Sequence, residues 1–187
     1  MLKSARRSQR HTFCSIDPQT LRTLLIVLYA TGIRVGEALR LEHKDVNRSR
    51  GLIIIRDQDG NLDRELPIGH DLQEILREYV RRTANRQHRF FTTKEGSPLN
   101  QVTLQKSFQR LRRLSRITAQ PGVRFTPRMH DLRYTFAVHR IEGWLKQGAD
   151  LNRMLPALAA YMGQVGLGST ERYLTAALSA AFVETQP

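Results

Sequence analysis

In SIDPQTLRTLLIVLYATGIRVGEALRLEHKDV, Ser15 to Val46, an aspartate, a proline and a glycine bracket one apolar helix. Asp17 is a natural N-cap, Pro18 suits the first turn, and Gly32 suits the stop. Leu21, Leu24, Leu25 and Leu28 recur at helical spacing and form its buried stripe. RVGEALRLEHKDV follows as a short second helix and a turn. Arg34 lies just past the helix stop, where a side chain is held rigidly near the surface. Paired with Glu37, it reads equally well as a core-edge arginine.

Downstream, GLIII and RELPI are two short β-type runs separated by RDQDGNLD, whose Gly60 and Asn61 favour a tight reversal. This predicts a hairpin. Residues 70–84 return to helix with Leu72, Ile75, Leu76 and Tyr79 on one face. A further helix is predicted over 102–117, with Leu104, Phe108, Leu111 and Leu114 inward. Its outward face carries Lys106, Arg110, Arg112, Arg113 and Arg116. A long helix starts near His130 with Phe136, Ile141 and Trp144 as core. LNRMLPALAAYMG is another, with Pro156 early in it. STERYL opens one more, capped by Ser169 or Thr170, and a short tail helix is expected over 176–184. The sum is a mainly α chain with a small antiparallel β-sheet, an α+β fold in one domain.

Composition narrows the partner. The 187 residues hold 30 lysines and arginines against 17 acidic side chains, a formal net charge of +13. Guanidinium binds phosphate bidentately and sheds water readily, so an arginine-rich excess suits a polyanion such as DNA. Cys14 is the only cysteine, which excludes an internal disulfide. With no CxxC or HExxH spacing and scattered histidines, no structural zinc site is expected. No apolar run approaches the roughly 20 residues that span a bilayer. No signal-peptide core follows the basic start MLKSARRSQRHTF, so a cytoplasmic protein is expected.

Two more motifs can carry chemistry. HDLRY sets His130 and Arg133 three apart on one helical face. YMGQVGLGSTERYL carries Tyr173 after a glycine-rich turn; alone, such a tyrosine reads as packing.

The order of these motifs resembles the catalytic domain of the tyrosine recombinases, the phage-integrase-like family. Its pattern is TG-x-R-x-x-E-[LA]-x-x-L-x-x-x-D, then H-x-L-R-[HY]-[TS]-F, then [LM]-G-H/W, with a tyrosine nine residues after that His or Trp. Thr31, Gly32, Arg34, Glu37, Leu41 and Asp45 match the first motif. His130, Leu132, Arg133 and Phe136 match the second, and Met162, Gly163 and Tyr173 the third. The likeness runs from about Ser15 to Leu174.

The resemblance implies the family's catalytic-domain fold and a DNA strand-exchange enzyme of a mobile element. Tyr173 would attack the scissile phosphate and form a 3′-phosphotyrosyl link. Arg34 and Arg133 would clamp the non-bridging oxygens. His130 would assist proton transfer or hold the phosphate. The link conserves bond energy, so no cofactor is implied, and the arginines make a metal unnecessary. Gln164 stands in the usual His/Trp position; it can donate a hydrogen bond but does not titrate near neutral pH. The family's general-acid lysine has no counterpart in RDQDGNLD. Arg56 is the nearest cation and Lys94, in TTKEG, a distant one. Arg56, Lys94, Lys106, Arg110 and Arg113 are the expected DNA-binding cations.

The domain reading is a basic tail at 1–13, loose, the catalytic domain at 14–175 and a C-terminal tail helix at 176–187. No counterpart of the family's N-terminal core-binding domain is expected within this chain. Leu174, Leu178, Phe182 and Val183 are expected to form an apolar face that either docks on a neighbouring protomer, giving a tetramer on double-stranded DNA, or packs on the chain's own core; no membrane partner is expected. A bacterial, nucleoid-associated location follows. The lysine-free turn and Gln164 also fit a catalytically weakened or inactive DNA-binding relative. A type IB topoisomerase, with the same nucleophile and arginine logic, is the third reading.

Overall fold

The computed structural model describes residues 4–9, 14–56, 63–83, 88–119, 126–164 and 172–179. Helices α1 (Ala5–Ser8), α2 (Pro18–Thr31) and α3 (Val35–Arg40) lead through a 3-10 turn at His43–Asp45 into the sheet. Strands β1 (Val46–Asn47), β2 (Leu52–Ile55) and β3 (Arg64–Pro67) form an antiparallel meander in that order. Helices α4 (His70–Thr83), α5 (Gln101–Leu114), α6 (Asp131–Lys146) and α7 (Leu151–Met162) follow, then α8 over 172–179. Among the described residues no helix is long and apolar enough to cross a membrane.

Helix α2 forms for the reasons its sequence gives. The Asp17 carboxylate accepts from Gln19 N at 2.8 Å, Pro18 occupies the first turn, and Gly32 closes the helix at φ +63°. Leu21, Leu24, Leu25 and Leu28 are all buried. Each contributes about 2 kcal/mol by leaving water. α2 packs against α1, α4 and α6 and is the centre of the larger core. A second core joins α6, α7 and α8 through Phe136, Ile141, Leu158, Met162, Tyr173 and Ala177.

The hairpin pairs Leu52 with Pro67 and Ile55 with Arg64. Its turn, 57–62, lies outside the described residues, as do the expected caps Ser169 and Thr170 and the apolar residues Phe182 and Val183. β1 was not expected: the segment read as a turn lays Val46 against Ile53 as a two-residue edge strand.

Four expectations are corrected. Part of the loose tail, residues 4–9, is a helical turn packed on α2 and α5, with Ala5, Ser8 and Gln9 buried. Ser8 Oγ closes that turn on Ala5 O at 2.8 Å. Leu114, expected inward, is 49% exposed. It closes α5 off the Leu104–Phe108–Leu111 stripe, a rotation of about 60° past Leu111 at 100° per residue. α5 also stops short of 117, because Arg116 takes φ +54°. Arg116 N then bonds Arg113 O at 3.1 Å and Ile117 N bonds Arg112 O at 3.0 Å, the paired closure of a left-handed helix stop. Finally, Tyr173 and the start of the expected tail helix lie on one continuous helix through 179.

Candidate active site

The left-handed turn at Gly32 sets Arg34 at the N-cap of α3. Glu37, one turn on, accepts Arg34 N at 2.7 Å and Arg34 Nη1 at 3.0 Å. Arg34 Nη2 reaches across the molecule to Gly163 O at 2.7 Å. The Arg34 side chain stays 49% exposed, so its outer edge faces solvent.

Arg133, near the start of α6, is the opposite case at 5% exposure. Its Nη1 donates to Gly32 O at 2.6 Å and its Nη2 to Met162 O at 2.9 Å. Among the described residues, two of its five N–H groups are thus spent on backbone carbonyls. Burial, then the charge of Arg34, lowers the Arg133 guanidinium from its ordinary value, while Tyr173 and Glu37 act the other way. A guanidinium this basic stays charged.

Both arginines therefore close on the C-terminal end of α7. Gly163 ends that helix at φ +66°. A Cβ there would stand 2.7 Å from Arg64 Cζ, so the turn needs glycine on two counts. Gln164 follows, and its Nε2 lies 3.4 Å from Tyr173 Oη. Tyr173 is 8% exposed, with its ring edge-on to Tyr134 at 5.3 Å. Arg34, Arg133, Gln164 and Tyr173 thus meet at one seam between the α2–α3 turn, α6, the end of α7 and α8. His130, exposed at the α6 N-cap position, shares a cleft of about 360 Å³ with Arg34.

Arg64 belongs to this seam and was missed by sequence reasoning. Its Nη2 donates to Glu37 Oε2 at 2.9 Å and its Nε to Tyr161 O at 3.2 Å. Burial pushes the Glu37 carboxyl up, but hydrogen bonds and charge from Arg64 and Arg34 outweigh that and hold it below its ordinary value. The signal was the strand phase: Arg64 shares a face with buried Leu66, two positions on.

The expected DNA-binding cations divide. Lys94, Lys106 and Arg113 are exposed. Arg56 is tied to Asp45 at 2.8 Å and Asp63 at 3.2 Å. Arg110 is half-buried and turns back to Ser8 O at 3.4 Å and to Cys14 Sγ, instead of standing on the outward face of α5. Among the described residues, no group of three His, Cys, Asp or Glu side chains is arranged to hold a metal ion.

The sequence pattern of the phage integrase family matches residues 7–178. The chain belongs to that family. This integrase-family chain is 32% identical over 161 residues to the putative integrase/recombinase y4rE of Sinorhizobium fredii, covering 83% of this chain and 51% of that one. It is 28% identical over 152 residues to the tyrosine recombinase XerA of Pyrococcus furiosus, covering 81% and 49%. It spans about half the length of the curated relatives it matches. The solved structure of the Tn1549 transposon integrase in complex with transposon right end DNA superposes with TM-score 0.69 at 16% identity, over 98% of this chain and 63% of that one. That likeness shows the fold.

Proposed function

We propose that this chain is the catalytic domain of a tyrosine-type site-specific recombinase or integrase that cuts and rejoins double-stranded DNA for a mobile element. The carrying observation is the closure of Arg34 and Arg133 on the α7 terminus beside Tyr173. Tyr173 Oη attacks the scissile phosphorus, the bond to the 5′-oxygen breaks, and a 3′-phosphotyrosyl link forms. Arg34 and the remaining N–H groups of Arg133 hold the non-bridging oxygens as charge builds. His130 assists proton transfer or holds the phosphate. Gln164 donates to a phosphate oxygen where relatives use His or Trp. A 5′-hydroxyl from another strand reverses the step.

The relatives support this reading: a tyrosine recombinase, a putative integrase/recombinase, and a transposon integrase in complex with transposon right end DNA. Lys94, Lys106 and Arg113 contact backbone phosphates. The domain takes in 14–175 together with the packed turn at 4–9 and helix α8, and acts in the bacterial cytoplasm at the nucleoid. Leu174 and Ala177 pack on the chain's own second core, so the tail docks on a neighbouring protomer in a tetramer from exposed Leu178 onward.

The test is covalent capture by the full-length protein on nicked duplexes that span the ends of its own element. A protein–DNA adduct that disappears in Tyr173→Phe is expected. No adduct on any such end overturns the cleavage reading. A second reading, a DNA-binding relative without cleavage, is favoured by the lysine-free turn and the tied Arg56. It predicts salt-dependent duplex binding that survives Tyr173→Phe with no adduct from the unaltered chain.

A further inference from the structure

The cleft that holds Arg34 and His130 has a third wall, which the chemistry above does not use. Gln101, Gln105 and Gln109 line it from α5, together with Arg112. Their spacing of four residues places them on one helical face over about 12 Å of axis, the rise of three to four base pairs. Gln101 and Gln105 are exposed and Gln109 half-buried. The described residues offer none of the three amides a hydrogen-bond partner. Among the described residues no carboxylate lines the cleft, and α5 contains neither aspartate nor glutamate. The adjoining face of α5, at Leu104, Phe108 and Leu111, is anchored in the core, with Phe108 also flooring the cleft, so the glutamine row is held in place.

We propose that Gln101, Gln105 and Gln109 read adenine edges in the major groove of the half-site beside the cleaved phosphate. The proposal rests on the recombinase reading and deepens it by assigning specificity. A neutral amide is a poor phosphate ligand beside free cations such as Lys106 and Arg113. Its coplanar acceptor and donor match adenine N6 and N7 in a bidentate pair. An α-helix fits the major groove, and a ladder of amides at one-turn spacing meets successive bases there. The division of labour follows: cations beside the glutamine row position the helix, and the glutamines specify sequence.

The test is enrichment of randomised duplexes by the full-length chain, alongside Gln101→Ala, Gln105→Ala and Lys106→Ala. The wild-type motif is expected to contain clustered A·T pairs. Each glutamine variant is expected to lose discrimination at one position by about 5- to 150-fold, with its salt dependence unchanged. Lys106→Ala is expected to weaken all sequences alike and to flatten the salt dependence. An unchanged motif in the glutamine variants, or uniform weakening like that of Lys106→Ala, overturns the proposal. Covalent capture through Tyr173 separates the two readings. Adducts with an unchanged motif sink only the adenine reading; a shifted motif without adducts sinks only cleavage. A wild-type chain that enriches no duplex sinks both.

Discussion

Gln164 Nε2, just past the end of α7, stands 3.4 Å from Tyr173 Oη on α8. That is longer than the usual span of about 2.7–3.2 Å for an N–H···O bond, so the contact orients the phenol while releasing it easily. Glutamine at this place gives a donor that does not titrate. Gln164→Ala is expected to slow covalent capture about tenfold, the weight of one net hydrogen bond at the upper end of its range. Gln164→His keeps a donor and adds a titrating one. Its capture rate should hold at acidic pH and fall as pH rises through about 6.5, a limb that Gln164 itself cannot supply. Single-turnover capture across pH measures both; an unimpaired Gln164→Ala would remove Gln164 from the chemistry.

Glu37 is held between Arg34 and Arg64, with its side chain only 6% exposed. Its carboxyl titrates below its ordinary value of 4.5. The folded state therefore favours the ionised form. That stability is fully present above 4.5 and is lost as pH falls through the lower, folded value. Glu37→Gln should flatten this acid limb in urea melts. Arg64→Ala should cost about 1.5–3 kcal/mol, the worth of a hydrogen bond to a charged group. The double variant should cost less than the sum of the two singles. Additive losses would show that the Arg64–Glu37 pair carries no coupling.

The contrast between Arg34 and Arg64 shows what the sequence carries. Arg34 was legible because its partners Gly32 and Glu37 are neighbours in the chain and its motif resembles a family. The helix of Asp17, Pro18 and Gly32 and the pairing of Leu52–Ile55 with Arg64–Pro67 were legible for the same local reasons. Arg64 bonds partners 27 and 97 positions away, and no periodicity encodes such a meeting. Arg110 was misplaced likewise: its side chain turns to Ser8, 102 positions away, at a segment read as loose. Leu114 and Arg116 failed for a smaller reason. Helical spacing was extended through the last turn, where the left-handed stop already ruled.

Gly32 is expected to be among the least replaceable positions. Its φ of +63° costs an L-residue about 1–2 kcal/mol. A Cβ would also stand 2.3 Å from Phe136 Cδ1, in the second core. Overpacking adds about 1–3 kcal/mol. Gly32→Ala should therefore lower stability by roughly 2–5 kcal/mol in urea titration. Since Arg133 Nη1 hangs on Gly32 O at 2.6 Å, capture should fall even where the variant stays folded. A variant with a wild-type midpoint would mean that Phe136 yields freely.

Tyr79 gives an alkaline prediction. It is 1% exposed, packed against Phe90 and Phe91, with its hydroxyl 3.2 Å from Thr20 Oγ1. Burial pushes the phenol from 10.0 up to about 12. The fold therefore favours the neutral form. That contribution is complete below 10.0, the value in the unfolded chain, and is lost as pH rises through about 12. Two units correspond to a loss on the order of 3 kcal/mol across this window. Tyr79→Phe should cost about 1–2 kcal/mol near neutral pH, because Thr20 keeps a buried hydroxyl without its partner. It should then lose less stability than wild type as pH rises, so the two curves converge. Urea midpoints near neutral pH and at about pH 11 measure the difference. Parallel curves would show that Tyr79 does not govern the alkaline limb.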